Sequence, residues 1–465
     1  MRVQNTKFVC TIGPASEDIK VLEKMVLAGM DCARLNFSHG SYANHAKLIK
    51  NIRKVAKKTG APIAIMQDLQ GPKIRIGEID DNSIKIKKNG EITLSCGAKN
   101  KNKIPVQYRN LYKEVEKNDI LLIDDGMIEL KVKQVKGKDI ICRVLNSGVI
   151  KKNKGINVPG KEISANPITA KDKKDLEFGL KHDVDYVALS FVSEAKDIRN
   201  LKKIIEKKDK NVKIIAKVER GDAIKNLEEI IEASDALMIA RGDLALEIGA
   251  ENVPLIQKRM IRLCNLAGKP VITATQMLQS MVTKPQPTRA EVSDIANAIF
   301  DHSDAIMLSN ETAVGNYPVR AVRVFAKVAQ KVENVLKKHQ DLLPIRSIKE
   351  KINIYDALGY QTCKLAETIN AQGIIVVTRR GKSARFVSKH HSYIPTAIIT
   401  PSQKVRNQLS LYWGLNTIII ERINDKTNIK TIKKIIKKEK FVKKGDRVVI
   451  LFAYTKEKHI VSSII

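Results

Sequence analysis

Two apolar stretches of this sequence end in charged residues whose types and spacing could do chemistry. Residues 214–220 read Ile-Ile-Ala-Lys-Val-Glu-Arg, and residues 238–244 read Met-Ile-Ala-Arg-Gly-Asp-Leu. Each stretch is long enough to begin as a buried strand, and Lys217 and Glu219 would share one side of theirs because side chains alternate along a strand. Packing alone gives no reason to place such charges at the ends of neighbouring strands. The pattern predicts a site with carboxylates for a divalent cation and cations for an anionic substrate.

The carboxylates of Glu219 and Asp243 fall at adjacent predicted strand ends, without His or Cys close by. Such a pair favours a hard cation, Mg²⁺ or Mn²⁺, which keeps positions free for water and a phosphate-bearing substrate. A structural alternative remains open, in which the two carboxylates simply form ion pairs with Lys217 or Arg241.

Polar residues stand at the ends of other predicted strands as well. They are Arg34, Asn36, Ser38, Asp68, Arg241, Thr275 and Glu311. Each alone is as easily a solvated strand end or a structural ion pair, but their convergence on one face predicts a binding site. Arg34, Arg75 and Lys217 would supply positive charge for phosphoryl oxygens. The sequence has no Ser/His/Asp arrangement, zinc-ligand spacing or GxGxxG motif, so it predicts metal-assisted phosphoryl transfer and leaves the substrate open.

The elements that must position these residues alternate between strand and helix over most of the chain. Residues 1–70 read as βαβαβ, and the alternation resumes near residue 169 to complete a set of βα units. We predict an α/β fold: a (β/α)8 TIM barrel at residues 1–70 and 169–345, with its active site at the carboxyl ends of the strands. Residues 71–168, with short alternating runs and no convincing helix, predict an inserted small β-barrel domain. Residues 346–465 predict a C-terminal doubly wound α/β domain.

Composition constrains the class of protein further. The 465 residues include 83 Lys and Arg against 50 Asp and Glu, for a net charge of +33. The lysines are dispersed and 4% of residues are aromatic, so we expect no specific nucleic-acid binding, only non-specific attraction of anions. No apolar run approaches the length of a membrane span. With no recognisable signal peptide and 6 scattered cysteines that suit reduced thiols, we expect a cytoplasmic protein.

A series of segments resembles the motifs of the pyruvate kinases, in the order of that family. The segments are residues 11–16, 34–40, 68–75, 153–160, 216–219, 238–244, 275–277, 287–291 and 307–313. Among them, residues 34–40 read Arg-Leu-Asn-Phe-Ser-His-Gly and residues 68–75 read Asp-Leu-Gln-Gly-Pro-Lys-Ile-Arg. The resemblance implies transfer of the phosphoryl group of phosphoenolpyruvate to ADP, giving pyruvate and ATP, the last step of glycolysis. It also implies the barrel, inserted and terminal domains of that family.

The resemblance implies roles for individual residues. Glu219 and Asp243 would hold the catalytic Mg²⁺ or Mn²⁺, Lys217 would bridge the transferring phosphoryl group, and Thr275 would take part in the proton relay that forms pyruvate. The substrate-binding residues would be Arg34, Arg241, Gly242, Asp243 and Thr275, with the backbone of Arg241 and Gly242 at the carboxylate end. The nucleotide-binding residues would be Asn36, His39, Arg75 and Lys154, the last on an inserted domain that closes as a lid.

The monovalent-cation site of the family corresponds here to Asn36, Ser38, Asp68 and Leu69. Many members have Thr at the position of Leu69, which weakens the site and leaves a backbone carbonyl to serve there. Potassium-requiring members carry Glu at the position of Lys73. Because a Lys can place its ammonium where K⁺ would lie, we predict that K⁺ is dispensable for this chain. The alternative is that Lys73 points to solvent and the ion binds as usual.

Residues 378–383, Thr-Arg-Arg-Gly-Lys-Ser, resemble the effector-phosphate loop of the family, with Thr378, Lys382 and Ser383 as phosphate contacts. The glycine-rich loop expected after the last strand is replaced by residues 453–459. We therefore expect weak or absent activation by fructose 1,6-bisphosphate. Family analogy also implies a homotetramer.

Two other functions compete with this interpretation. In a non-catalytic barrel that binds anions or RNA through its basic surface, we would expect some of the polar residues at the strand ends to be replaced. The sequence shows no such replacement there. The other alternative is a different barrel enzyme that acts on phosphoenolpyruvate, such as a dikinase or an aldolase. That function does not account for the inserted domain or for the motif at residues 34–39.

Overall fold

The computed structural model combines a closed parallel barrel with two further groups of strands, which confirms the predicted fold class. The structure describes residues 4–79, 83–97, 102–161, 163–164, 166–208, 211–339, 342–344, 353–423, 428–453 and 459–465. Residues 340–341 and 345–352, around the predicted boundary between the barrel and the terminal domain, and residues 454–458 of the 453–459 segment lie outside these residues.

The first part of the chain forms three barrel strands and two helices. They are β1 (Lys7–Thr11), α1 (Ile19–Ala28), β2 (Met30–Asn36), α2 (Tyr42–Thr59) and β3 (Ala64–Asp68). The Asp18 side chain accepts hydrogen bonds from the first backbone N–H groups of α1, and Gly29 ends the helix with φ of 123°. Every residue of β1 and β3 is buried, as expected for strands covered on both faces.

The inserted domain consists of two antiparallel-rich sheets around one apolar core. Its elements are β4 (Ser83–Ile86), β5 (Glu91–Ser95), β6 (Ile104–Pro105), α3 (Leu111–Glu114), β7 (Ile120–Ile123), β8 (Ile128–Lys136), β9 (Asp139–Val144), β10 (Gly148–Lys151) and β11 (Ile156–Asn157). One sheet has the order β11-β7-β8-β9-β5-β6, and β10 pairs with β4 in the other. The expectation of no helix in this part is wrong at α3, which is too short for a helical period to show in the sequence.

The remaining barrel strands are β12 (Tyr186–Leu189), β13 (Lys213–Val218), β14 (Ala236–Ala240), β15 (Val271–Ala274) and β16 (Ala305–Leu308). The helices between and after them are α4 (Ala170–Lys181), α5 (Ala195–Glu206), α6 (Leu227–Ala233), α7 (Arg241–Ile248), α8 (Val253–Ala267), α9 (Arg289–Phe300), α10 (Asn310–Ala313) and α11 (Pro318–His339). The barrel closes in the order β1-β16-β15-β14-β13-β12-β3-β2, all parallel. This order brings every strand's carboxyl end to one face.

Two details of this region differ from the sequence prediction. The apolar pattern of residues 223–233 predicts one helix, whereas the structure has a 3₁₀ turn (Asp222–Ile224) followed by α6. The short helix α7 was not predicted, and it begins directly at Arg241, so Asp243 lies in a first helical turn rather than at a strand end. Its eight residues include Gly242, which lowers helix propensity and hides the pattern.

The terminal domain is a five-stranded sheet flanked by helices. Its elements are α12 (Ile354–Thr368), β17 (Gly373–Val377), α13 (Lys382–Ser388), β18 (Thr396–Thr400), α14 (Gln403–Gln408), β19 (Leu415–Ile419), α15 (Ile429–Lys438), β20 (Arg447–Phe452) and β21 (His459–Ile464). The order β19-β18-β17-β20-β21 reverses between β17 and β20, as in doubly wound sheets. The edge strand β21 is antiparallel and was not predicted. Across the described residues, no helix combines the length and the apolar character that crossing a membrane requires.

Candidate active site

Lys217 lies at the centre of the polar groups that meet at the carboxyl face of the barrel. Its Nζ donates to Ser190 Oγ at 2.7 Å and lies 3.0 Å from Glu219 Oε1 and 3.1 Å from Asp68 Oδ1. Burial alone would lower the pKa of Lys217, but Asp68 and Glu219 outweigh it and hold the pKa above its usual value. The side chain is therefore a charged ammonium with only 10% of its surface exposed.

Asp68, at the end of β3, ties Lys217 to Arg34. The Arg34 Nε and Nη2 atoms lie 2.7 and 2.6 Å from Asp68 Oδ2, and Nη1 donates to Thr11 Oγ1 at 2.9 Å. Burial would raise the pKa of Asp68, but Lys217 and Arg34 reverse that effect and lower it. The carboxylate stays ionised and holds two cations, on β2 and β13, in fixed positions in the cleft.

Glu219 and Asp243 supply the two carboxylates expected for a divalent cation. Glu219 Oε2 accepts a hydrogen bond from the Phe191 backbone N–H at 2.8 Å. Burial raises the pKa of Glu219, the Lys217 ammonium opposes this, and the negative charges of Asp243 and Asp68 raise it further. This mutual repulsion is the kind that a bound cation relieves.

The donor set fits a hard cation that shares its coordination with a substrate. Within the part of the chain that the structure describes, no cluster of three or more His, Cys, Asp or Glu side chains could hold a metal ion. At phosphate sites Mg²⁺ is usually bound by one or two carboxylates, and water and phosphoryl oxygens occupy its other coordination positions. The structure therefore brings together groups that could hold Mg²⁺ or Mn²⁺.

Thr275 and Gly242 form a compact pair beside these carboxylates. The Gly242 N–H donates to Thr275 Oγ1 at 2.9 Å, and Thr275 Oγ1 donates to Ala274 O at 2.6 Å. Thr275 has φ of 69° and Gln276 has φ of 54°, a conformation that is costly for a β-branched residue. The hydroxyl is thus held in one place by a strained turn at the end of β15.

The Arg241 side chain supports this turn from behind. Its Nε and Nη2 donate to Ala274 O and Thr275 O at 3.1 and 2.7 Å, and its guanidinium pairs with Asp294. Because the side chain is engaged in this way, the backbone of Arg241 is better suited to a substrate contact than its guanidinium.

The expected nucleotide contacts lie on both sides of the cleft. Arg75 Nη1 donates to Asn153 O at 2.8 Å, and Lys154 Nζ lies 2.7 Å from Asp124 Oδ1 within the inserted domain. His39 is exposed in the turn after β2, and Asn36 is the last residue of β2, where its Oδ1 accepts from the Ser38 N–H at 3.1 Å.

The residues of the expected monovalent-cation site are largely engaged with the protein itself. The Asp68 carboxylate pairs with Arg34 and Lys217, and the Leu69 carbonyl accepts the Ser190 hydroxyl at 2.7 Å. Lys73 neither points to solvent nor pairs with Asp68: its Nζ lies 2.7 Å from Asp243 Oδ1, with 19% of the side chain exposed. The sequence predicted this ammonium at the K⁺ position, but it lies at Asp243 instead, because Arg34 and Lys217 already pair with Asp68.

The effector-phosphate loop predicted in the terminal domain is also internally bonded. Thr378 and Ser383 are buried, and Thr378 Oγ1 accepts from the Gly381 N–H at 3.2 Å. Lys382 Nζ lies 4.0 Å from the centre of the Tyr355 ring, a cation–π contact.

Sequence reasoning missed several residues that shape the cleft. Ser190 follows β12 at the same face as the other strand ends, and that position was a usable signal. Phe191, whose N–H binds Glu219, has φ of 56°, and Asp294 lies on α9 far along the chain from Arg241; neither has a local sequence signal. Glu311 is buried and accepts the N–H groups of Leu278 and Ser309, so it is a structural carboxylate.

The comparisons with known proteins agree with this geometry. Residues 3–322 match the family description "Pyruvate kinase, barrel domain", and residues 356–461 match "Pyruvate kinase, alpha/beta domain". A pyruvate kinase of Clostridium acetobutylicum is 42% identical over 454 residues, which cover 96% of this chain and 96% of the relative. A pyruvate kinase of Geobacillus stearothermophilus is 43% identical over 426 residues, 90% of this chain and 72% of the relative.

A solved structure supports the same assignment. The crystal structure of a pyruvate kinase from Cryptosporidium parvum is similar to this chain with a TM-score of 0.91 and 34% identity, over 99% of this chain and 96% of that one. The resemblance stated from the sequence is confirmed. This chain belongs to the pyruvate kinase family, the enzymes that transfer the phosphoryl group of phosphoenolpyruvate to ADP in glycolysis.

Proposed function

We propose that phosphoenolpyruvate and ADP react at the carboxyl face of this barrel, with Lys217 as the central catalytic residue. The observation that carries this proposal is the buried Lys217 ammonium, which lies within 3.1 Å of both Glu219 and Asp68. A preorganised charge of this kind needs no reorganisation when negative charge moves between phosphoryl oxygens, so it stabilises the transition state selectively.

Glu219 and Asp243 would hold a divalent cation, Mg²⁺ or Mn²⁺. When bound, such an ion neutralises charge on phosphoryl oxygens and orients them for in-line transfer. The Phe191 N–H orients Glu219 for this task, and α7 directs Asp243 from its first turn.

Arg34 would contact the phosphoryl group of phosphoenolpyruvate. Asp68 and Thr11 fix the plane of its guanidinium through three nitrogen atoms, so Arg34 reaches the substrate with little conformational freedom to lose. This arrangement supports a role for Asp68 as the group that positions both Arg34 and Lys217.

The substrate carboxylate would lie at the backbone of Arg241, Gly242 and Asp243, the start of α7. Asp243 and Thr275 border this position, and the Gly242 N–H would exchange its hydrogen bond with Thr275 for one with the carboxylate. The Thr275 hydroxyl would turn its proton from Ala274 O and pass it toward the enolate carbon, directly or through water, and would take up a proton from water in return. Its fixed position, imposed by the strained turn, supports this assignment.

The nucleotide would bind between the barrel and the inserted domain. Arg75 and Lys154 would contact its phosphates from the inserted domain, and Asn36 and His39 would do so from the end of β2 and the turn that follows it. We further propose domain boundaries at 1–70 with 169–345, 71–168 and 346–465, and assembly into a homotetramer, with Thr378, Lys382 and Ser383 in the effector-phosphate loop. The monovalent-cation site at Asn36, Ser38, Asp68 and Leu69 would be weak, with K⁺ dispensable because of Lys73.

Pyruvate formation tests the proposal. The purified chain, given phosphoenolpyruvate, should form pyruvate at a rate that requires both ADP and Mg²⁺ or Mn²⁺, with ATP formed in equal amount. Pyruvate formed at the same rate without ADP would contradict phosphoryl transfer to the nucleotide.

A further inference from the structure

Lys73 and Asp243 form an ion pair between the inserted domain and the barrel. Lys73 Nζ lies 2.7 Å from Asp243 Oδ1, and the two side chains are only 19% and 23% exposed. Lys73 stands at the start of the inserted domain, whereas Asp243 lies in the first turn of α7, 170 residues further along the chain. The pair therefore connects two parts of the molecule that the proposed reaction requires to cooperate.

The same Asp243 carboxylate is one of the two that would hold the divalent cation. An ammonium and a divalent cation repel each other strongly at the few ångströms that a shared carboxylate allows, and partial burial reduces the screening. Lys73 and the divalent cation therefore weaken each other's binding to Asp243.

We propose that Lys73 is an internal competitor of the divalent cation at Asp243, so that its ammonium weakens binding of the cation to this carboxylate. This inference rests on the proposed role of Asp243 as a metal ligand and adds a residue that sets the affinity of the site. In this view Lys73 neutralises the Asp243 carboxylate whenever no divalent cation is bound there. The ion pair between Lys73 and Asp243 therefore lowers the observed affinity of the site for Mg²⁺ or Mn²⁺.

The backbone around Lys73 links this competition to the expected nucleotide contacts. Ile76 N donates to Lys154 O at 2.9 Å, Ile156 N donates to Ile74 O at 2.8 Å, and Arg75 is paired with Gly155 in an antiparallel bridge. The segment that carries Lys73 is thus joined to the segment that carries Lys154.

Gly155 also touches the Lys73 side chain. A Cβ placed on Gly155 would come within 2.7 Å of Lys73 Cε, so the stem of Lys73 passes directly over this glycine. Displacement of Lys73 from Asp243 therefore changes the contacts of the two segments that carry Arg75 and Lys154. Divalent-cation binding should in this way favour rearrangement of the nucleotide side of the cleft.

Direct Mn²⁺ binding, measured without substrates, tests the competition. The full chain is treated with a chelator, dialysed and titrated with Mn²⁺ while electron paramagnetic resonance reports the free ion. Lys73→Met and Lys73→Gln should each bind Mn²⁺ roughly tenfold more tightly than the unsubstituted chain. Circular dichroism and thermal unfolding establish that each variant is folded.

Lys103→Met is the matched control, because Lys103 is another inserted-domain lysine in a pair with an aspartate, Asp139, at 2.6 Å. It removes the same charge without touching Asp243 and should leave Mn²⁺ affinity unchanged. In an Asp243→Asn background, Lys73→Met should no longer increase the affinity, since the shared carboxylate is gone.

The outcomes separate the inference from the function on which it rests. Equal Mn²⁺ affinity in Lys73→Met and the unsubstituted chain, or equal gains in Lys73→Met and Lys103→Met, would overturn the competition and leave the metal site intact. Unchanged Mn²⁺ affinity in Asp243→Asn alone would overturn the metal site itself, and the competition with it.

Discussion

Arg241 and Asp294 form a bidentate ion pair in which Nη1 and Nη2 lie 2.7 and 2.8 Å from the two carboxylate oxygens. The same guanidinium binds the carbonyls of Ala274 and Thr275, so Asp294 on α9 fixes the turn that holds the Thr275 hydroxyl. We expect the pair to act on the reaction through Thr275, because the guanidinium is engaged by Asp294 and by these carbonyls.

Asp294→Asn should therefore lower kcat while the protein remains folded. The amide keeps one acceptor but loses the charge-assisted pair, and a small misplacement of a reacting group costs on the order of tenfold or more in rate. Steady-state kinetics should show the larger change in kcat, with KM for phosphoenolpyruvate less affected. Asp301→Asn, which removes the partner of Lys258 directly after the end of α9, is the control. Equal effects of the two substitutions would contradict a positioning role.

Glu247 should make the stability of the chain depend on pH. Burial raises the pKa of Glu247 from 4.5 to about 7, against the opposing Asn157 amide, which bonds it from the inserted domain. A folded-state pKa above the unfolded value means that the contribution to stability is complete below about pH 4.5 and is lost as the pH rises through 7.

Glu247→Gln should accordingly be more stable than the unsubstituted chain at pH 8, by on the order of 3 kcal/mol, and lose this advantage near pH 4.5. Thermal unfolding at a series of pH values measures the difference. Glu251→Gln, at an exposed position nearby, serves as the control. A Glu247→Gln difference that does not vary with pH would contradict the prediction.

Lys73 should make K⁺ unnecessary for activity. Its ammonium already brings a positive charge into the cleft, and this charge would repel a K⁺ bound nearby. We expect substantial activity in tetramethylammonium buffer with Mg²⁺ or Mn²⁺ still essential, and we expect Lys73→Glu to depend on K⁺. If the unsubstituted enzyme is inactive in that buffer and regains activity when K⁺ is added, the prediction is wrong.

Fructose 1,6-bisphosphate should activate weakly or not at all. Thr378 is bonded to Gly381, and Lys382 lies on the Tyr355 ring, so each must give up an internal contact to bind a phosphate. When the bisphosphate is added, the half-saturating phosphoenolpyruvate concentration should change by no more than about twofold, which is a small change in binding free energy. A saturable decrease of several-fold would show that the loop responds to this effector.

The parts of the site that local patterns determine were predictable. The two-residue spacing of Lys217 and Glu219 predicts that both face one side at the end of β13, and the 3.0 Å contact between them confirms that inference. The alternation of apolar runs and helices gave the barrel because eight parallel strands can bury their apolar faces in few ways.

The rest depended on contacts between distant parts of the chain. No local signal tells which lysine reaches Asp243, and Lys73 does so only because the inserted domain returns to the barrel at that point. The positive φ of Phe191 and Thr275 is likewise imposed by tertiary contacts, since neither residue favours it. The short helix α7 was missed because a helix of two turns gives almost no periodic pattern.

The rate of pyruvate formation by Lys217→Met tests the central claim most directly. Lys213→Met is the matched control, since Lys213 begins the same strand β13 and pairs with Asp235 at 2.9 Å, outside the cleft. Removal of the preorganised ammonium should lower kcat by a factor on the order of a hundred to a thousand while Lys213→Met stays close to the unsubstituted enzyme. A folded Lys217→Met variant with near-normal turnover would contradict the account.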